Sequence, residues 1–378
     1  MMKKHARILT GNNTIKKKNN RSPTEGANRR IQLKKIGIVI VLFALLAGTV
    51  STVAAAKVVL LKEIDRPDTL SVDEDNVYIT QGAEVYIYSN NDFKLKKKFG
   101  KRGEGPGEFK TDPSYHRGGI YLNVQGDRIY VTSIGKVSII TKDGTIEKEV
   151  KSISGEDFLP FNDKFVGWEF TPVSQQNKTA NKALCLYDSQ MKKVKEISRI
   201  PHSVQRGKGF MIYSGEYIFK TYQGKLFINK GKEFIIDVYD QTGNKLHSIT
   251  REYKKIKITD TDKEKVLDFY KTYRSTKNIF EYIKSIIKFP EYFPPVRNIL
   301  LDQEKMYVVT YNYRGTEVES LVFDLKGKFL EKIFIDIKGE ASLNFTYLST
   351  IFNGETYKLI ENVEEEEWEM HINPVKKK

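Results

Sequence analysis

One pair of signals recurs along the chain beyond Val58. A polar turn leads into an Ile/Val-Tyr strand, and a second strand follows that ends in a turn containing Asp, Asn or Gly. The copies read DNVYIT with VYIYSNNDFKL (75–95), DRIYVT with VSIITKDGTI (127–146) and KFVGWEF with ALCLYDSQMKKV (164–194). They continue with KLFIN and FIIDVYDQTGNKL (225–246), KMYVVTYN and SLVFDLKGKFL (305–330), and ETYKLI and WEMHINPV (355–375). Short β-branched and aromatic runs between turn residues mark strands. Six copies, each supplying the inner and outer strands of a small antiparallel sheet, fit six blades around an axis. Radial stacking then buries both faces of every sheet and leaves only short edges. In VYIYS, Val85 and Ile87 fall on one face and Tyr86 and Tyr88 on the other, which suits a sheet covered on both sides. Residues 58–61 could lend a strand to the last blade and close the ring. The expected fold is therefore all-β, a six-bladed β-propeller over residues 58–378; two β-sandwich domains are the competing arrangement.

The long interval before the fifth copy changes period. TDTDKEKVLDFYKTYRSTKNIFEYIKSIIKF carries apolar residues at helical spacing, which predicts a helical insertion at about 260–289. Thr261 with Glu264 reads as a capping box, followed by the stripe Val266, Phe269, Tyr270 and Tyr273. A second stripe, Ile279, Phe280, Ile283, Ile286 and Ile287, runs until Pro290 ends it. Two such helices would pack as a flap on one propeller face.

Ahead of the repeats, residues 36–56 form 21 residues without a formal charge, flanked by Lys34, Lys35 and Lys57. At about 1.5 Å per residue this spans a hydrocarbon core of about 30 Å. Residues 1–35 hold eleven Lys and Arg against the single Glu25, a composition expected to stay disordered. By the positive-inside rule that arm stays cytoplasmic and the propeller lies outside. The expected chain is a single-pass membrane protein with an extracytoplasmic C-terminal domain. The small residues ending in Ala54, Ala55 and Ala56 also fit a cleavable signal, which would release the domain to the periplasm or the medium. Of the formal charge of +15, the arm carries +10, so the rest is nearly balanced and argues against a nucleic-acid surface. Cys185 is the sole cysteine, which excludes an intramolecular disulfide and a Cys-based zinc cluster.

Residues 99–109 read FGKRGEGPGEF. Gly100, Gly103, Gly105 and Gly107 permit positive-φ turns, Pro106 stiffens the centre, and Phe99 and Phe109 can anchor the ends. This turn resembles the blade-linking turn of the NHL-like six-bladed β-propeller family of exported bacterial proteins. FPEYFPPVRNILLD (289–302) resembles the stretch leading into the fifth blade of those proteins. The resemblance implies a propeller over most of the chain beyond Val58.

Catalytic chemistry is not legible. The histidines beyond the arm, His116, His202, His247 and His371, form no HxH, HxxxH or ExxH pair. A channel metal held by His116, His202 and His247 from separate blades would make a metal-dependent lyase or hydrolase, the alternative reading. Asp237, Asp240 and Asp324 lie near strand ends, where Asp commonly caps turns. His116, Arg117 and Arg297 are the candidate ligand-binding residues. No catalytic residue, cofactor or metal is assigned, and the expected function is non-enzymatic binding of a protein, peptide or glycan.

Overall fold

The computed structural model describes residues 56–111, 119–152, 158–171, 181–201, 210–213, 215, 217–272, 276–337, 348–362 and 364–375. The expected arm and nearly all of the apolar segment 36–56 lie outside these residues, and among the described residues no helix is long and apolar enough to cross a membrane.

The described residues form six four-stranded antiparallel sheets. Five use consecutive strands: residues 69–99, 121–151, 158–201, 218–250 and 298–336. The sixth joins Ser349–Phe352, Glu355–Asn362 and Glu367–Pro374 to Lys57–Leu60 from the other end of the domain. In that pairing Lys57 faces Ile372 and Leu60 faces Glu369, so the first strand completes the last blade. The first strands of the six sheets neighbour one another in a closed circle around the axis. The protein is an all-β six-bladed propeller.

The repeats seen in the sequence occupy a different place from the one expected. In every blade the quoted pair is the second and third strand, such as Asn76–Gln81 with Glu84–Ser89, and not the inner with the outer. Middle strands are covered by a blade on each side and paired along both edges, so they carry the densest apolar pattern. Inner strands such as Thr69–Val72 are short, and outer ones such as Leu95–Phe99 are largely exposed.

Packing follows the period-two alternation. Val85 and Ile87 meet Ile129 and Val131 of the second blade, and Ile120 just before it, while Tyr86 and Tyr88 meet Tyr357, Leu359 and Met370 of the sixth. The same arrangement joins Phe158 and Tyr187 to Tyr130, Trp168 and Leu184 to Leu226, Ile236 to Met306, and Val309 to Ile351. Each fully buried Leu, Ile or Phe contributes about 1.5–3 kcal/mol. Because that burial lies between blades, no blade holds its own core.

A local device also repeats. The third and fourth strands lose register at Ile87/Tyr88, Ile139/Ile140, Leu186/Tyr187, Val238/Tyr239 and Val322/Phe323. Such bulges add twist before the turn. In three blades the next residue is Asp188, Asp240 or Asp324, whose Oδ1 accepts backbone N–H groups two and four residues on at 2.8–2.9 Å. The carboxylates of Asp240 and Asp324 are therefore turn caps.

The helical segment comprises α1 (Asp260–Thr272), a 3₁₀ turn (Lys277–Ile279) and α2 (Phe280–Ile286). The cap is two residues earlier than the Thr261–Glu264 pair expected. Thr259 donates from its backbone N to Asp262 Oδ2 at 2.9 Å, and its Oγ1 accepts from Asp262 N at 3.3 Å. Buried Ile258, tied by its N–H to Glu291 O, fixes the point of entry. Val266, Tyr270, Ile283 and Ile212 form a small core of their own, flanked by Phe269, Phe280 and Ile287, while Ile279 is half exposed. Tyr273 lies outside the described residues.

Candidate functional site

Four consecutive antiparallel strands place their turns alternately at the two ends of a blade. The first-to-second and third-to-fourth connections are all tight: 73–75, 126–127, 162–163, 223–224, 303–304 and 353–354, with 90–94, 142–145, 188–192, 240–244 and 325–328. At the opposite end lie the blade-to-blade connections 61–68, 100–120, 152–157, 202–217, 251–297 and 337–348. The long insertions, including both helices, thus belong to one face. Insertions tolerated by a rigid scaffold concentrate binding residues there.

On this face two of these connections, 202–217 and 251–297, are zipped together. Phe210 and Met211 pair in parallel with Ile287 and Lys288, and Ile212 N donates to Lys288 O at 2.9 Å. The outgoing and returning arms of the insertion also pair, with Lys257 opposite Tyr292 and Phe293 N donating to Ile256 O at 2.9 Å. Between these arms and the fourth blade lies a cleft of about 350 Å³. Its floor is Phe234 and Tyr253, one wall is Pro290, Tyr292, Phe293, Pro294 and Pro295, and Tyr213, Gly231, Lys232, Glu233, Arg251 and Lys255 complete the lining.

The walls are held by ring packing and by close backbone approach. Phe293 stacks on Tyr311 at 4.5 Å, and Tyr213 meets both rings edge-on at 4.8 and 5.4 Å. Gly215 and Gly231 both adopt positive φ, and a Cβ on Gly215 would stand 2.5 Å from Gly231 O. Only glycine fits at that contact.

Electrostatically the lining is cationic, with Lys232, Arg251 and Lys255 against Glu233. Arg251 lies 4.0 Å over the Phe329 ring, and Lys255 lies 5.7 Å from the Tyr292 ring. Tyr253 Oη is buried beneath the cleft floor. Burial pushes the Tyr253 phenol up to about 12, against the opposing influence of hydrogen bonding by Thr310 and the Tyr311 backbone.

The sequence candidates are dispersed. His116 and Arg117 lie outside the described residues, as does His202. Arg297 is buried beside the cleft and does not line it. Its Nη1 donates to Tyr313 Oη at 2.8 Å, and its guanidinium sits 5.7 Å from the rings of both Tyr311 and Tyr313. It therefore braces Tyr311, on which Phe293 stacks. His247 is on the outermost strand of the fourth blade, away from the axis, and His371 contacts Glu369 at 2.7 Å. Among the described residues no group of three or more His, Cys, Asp or Glu side chains is placed to hold a metal ion.

The turn at 99–109 joins the first two blades. Phe109 is fully buried in their shared core, and its N–H donates to Lys101 O at 2.8 Å. Of its glycines only Gly100 (φ +88) and Gly107 (φ +70) use positive φ. Gly103 and Gly105 instead lie against the Glu108 carboxylate, which a Cβ on Gly103 would push aside. That carboxylate accepts from Gly105 N at 3.0 Å and pairs with Lys101 at 3.0 Å.

Sequence reading missed Tyr213, Phe234, Arg251, Tyr253 and Tyr292. The FPEYFPP run was visible, but the cleft is assembled from four segments that only the folded ring brings together.

No protein-family model matches the chain. No curated protein matches it either. Among solved structures, a Bacteroides fragilis protein assigned as exported superposes at TM-score 0.50 with 13% identity, covering 87% of this chain and 98% of its own. A member of the DUF4221 family from Bacteroides vulgatus superposes at TM-score 0.50 with 11% identity, covering 85% of this chain and 98% of its own. At that identity the likeness is one of fold alone, and it supports the six-bladed propeller without showing the NHL-like family. The chain is similar, over nearly the full length of both Bacteroides proteins, to propellers that share its architecture.

Proposed function

We propose that this chain is an exported, membrane-anchored propeller that acts as a binding module, with its ligand seated in the cleft on the long-connection face. The observation that carries this reading is the asymmetry of the ring. One end has only tight turns, and the other carries every long insertion, two of which form a preformed aromatic cleft with the fourth blade. Export is supported by the basic arm followed by 21 uncharged residues. The ligand class under this reading is a protein, peptide or glycan, and Arg297 acts as a brace for the cleft wall.

The test is site-specific photo-crosslinking in intact cells. A benzophenone side chain replacing Tyr292, which is 38% exposed at the cleft, should give discrete adducts; one replacing Asp127, in a tight turn of the opposite face, should give none. Adducts at Asp127 and none at Tyr292 would overturn the assignment.

A further inference from the structure

We infer, building on the binding-module reading, that the cleft takes an extended acidic peptide segment of a partner protein. One aromatic or branched aliphatic side chain would seat against Phe234, Tyr253 and Phe293, with flanking carboxylates on Lys232, Arg251 and Lys255.

Charge is the first argument. Three cations face one carboxylate, Glu233, in the lining, and none of the three makes an ion pair among the described residues. Other cations of the propeller, such as Lys136, Lys193 and Lys245, are paired with Glu149, Glu169 and Asp237, whereas these three converge on one cleft with a single carboxylate among them. Stacking on Phe329 holds the Arg251 guanidinium while leaving its chemistry suited to a bidentate carboxylate.

The second argument is what the lining lacks. It contains no Asn, Gln, Asp, His, Ser or Thr. A sugar presents hydroxyls and a base presents polar edges that call for such partners when buried. An apolar side chain flanked by carboxylates calls for rings, prolines and cations, which are the groups present. Nucleic acid would also need a longer basic track than three side chains.

The third argument is the rigidity of the lining. Pro294 and Pro295 fix the facing wall, so little is lost to ordering when the peptide enters.

The experiment is selection of a displayed random-peptide library on the full chain, counter-selected on the R251E/K255E double variant. Both chains carry the same basic arm, so only clones that read the cleft survive. Both substituted residues are exposed, and unchanged Tm would show that the variant folds. The expected result is clones with Asp or Glu around one aromatic or branched aliphatic residue. Synthetic versions should bind the double variant at least tenfold more weakly, about 1.4 kcal/mol. Clones without acidic bias that are lost on Tyr292→Ala overturn the acidic class while leaving the cleft reading intact. Clones indifferent to every cleft substitution, or no clones, overturn both. Preferential binding of polygalacturonate oligomers or a single-stranded oligonucleotide to the native chain over the double variant overturns the peptide assignment. So does concentration-dependent self-association abolished by R251E/K255E, which would place the exposed acidic run around Glu364 of a second copy in the cleft.

Discussion

Phe109 offers the sharpest test of how the blades are held together. Its ring is fully buried between the first and second blades, where it packs with Tyr78, Val85, Ile87, Ile120 and Ile129. Removing it empties a site that two separate sheets enclose, so collapse around the cavity is limited. Phe109→Ala is expected to cost about 3–5 kcal/mol, a large part of the 5–15 kcal/mol that holds a typical domain together. Gly100 adds a second handle, because a Cβ there would stand 2.5 Å from Ala83 O and 2.7 Å from the Phe109 ring at φ +88. Gly100→Ala therefore combines backbone strain of about 1–2 kcal/mol with two overlaps, one of which disappears when the ring is removed. The double variant should be less destabilised than the sum of the singles by at least about 0.5 kcal/mol. Urea unfolding followed by tryptophan fluorescence and far-ultraviolet circular dichroism would measure all four chains, with coincidence of the two probes checking the two-state assumption. A Phe109→Ala cost below about 1 kcal/mol, or additivity within about 0.3 kcal/mol, would refute this picture of the joint.

Other outcomes follow from the same geometry. Asp237 is almost fully buried; burial alone would raise its pKa, but Lys245 at 2.7 Å, Ser248 at 2.8 Å and Lys230 at 3.3 Å outweigh it and hold the carboxyl below its usual range. Its contribution is therefore present above the unfolded-state value of about 3.9 and is lost as pH falls through the lower folded value. Asp237→Asn should cost about 1–3 kcal/mol at pH 7, with the gap to the native chain closing below about pH 4 in a series of urea midpoints; a pH-independent gap contradicts this. Cys185 is fully buried, and its thiol is pushed up to about 11 by burial, so it should resist Ellman's reagent at pH 8 until urea unfolds the chain. Rapid labelling of the folded protein would contradict that burial. Deleting residues 57–60 should leave the Glu367–Pro374 edge unpaired, lower stability by about 1 kcal/mol per lost hydrogen bond and promote aggregation through the exposed strand. Unchanged Tm and a monomeric sedimentation profile would contradict closure of the ring by this strand.

The fold was legible where side chains are covered on both faces. Val85 and Ile87 against Tyr86 and Tyr88 revealed a two-sided sheet, and the six middle-strand pairs counted the blades. Inner strands escaped notice because Thr69–Val72 and Ser349–Phe352 have only four residues, too short for a period to register. The helix start was misplaced by two residues because Thr259 and Thr261 each precede an acidic residue by three. Pairing of residues 256–258 with 291–293, which no local pattern reveals, decides between them. Arg297 stands just before the fifth blade as a candidate ligand-binding residue, yet its neighbours Tyr311 and Tyr313 turn it into a brace. The cleft was the least legible feature, since Gly231, Arg251 and Tyr292 acquire a common purpose only when the ring sets the fourth blade under the insertion.

Hydrogen–deuterium exchange of the full chain with and without a selected acidic peptide tests the central claim most directly. Ligand seated in the cleft should slow exchange at residues 231–234, 251–255 and 291–293, and leave the tight turns at 126–127, 240–244 and 325–328 unchanged. Protection confined to those turns, on the opposite face of the ring, would contradict the account.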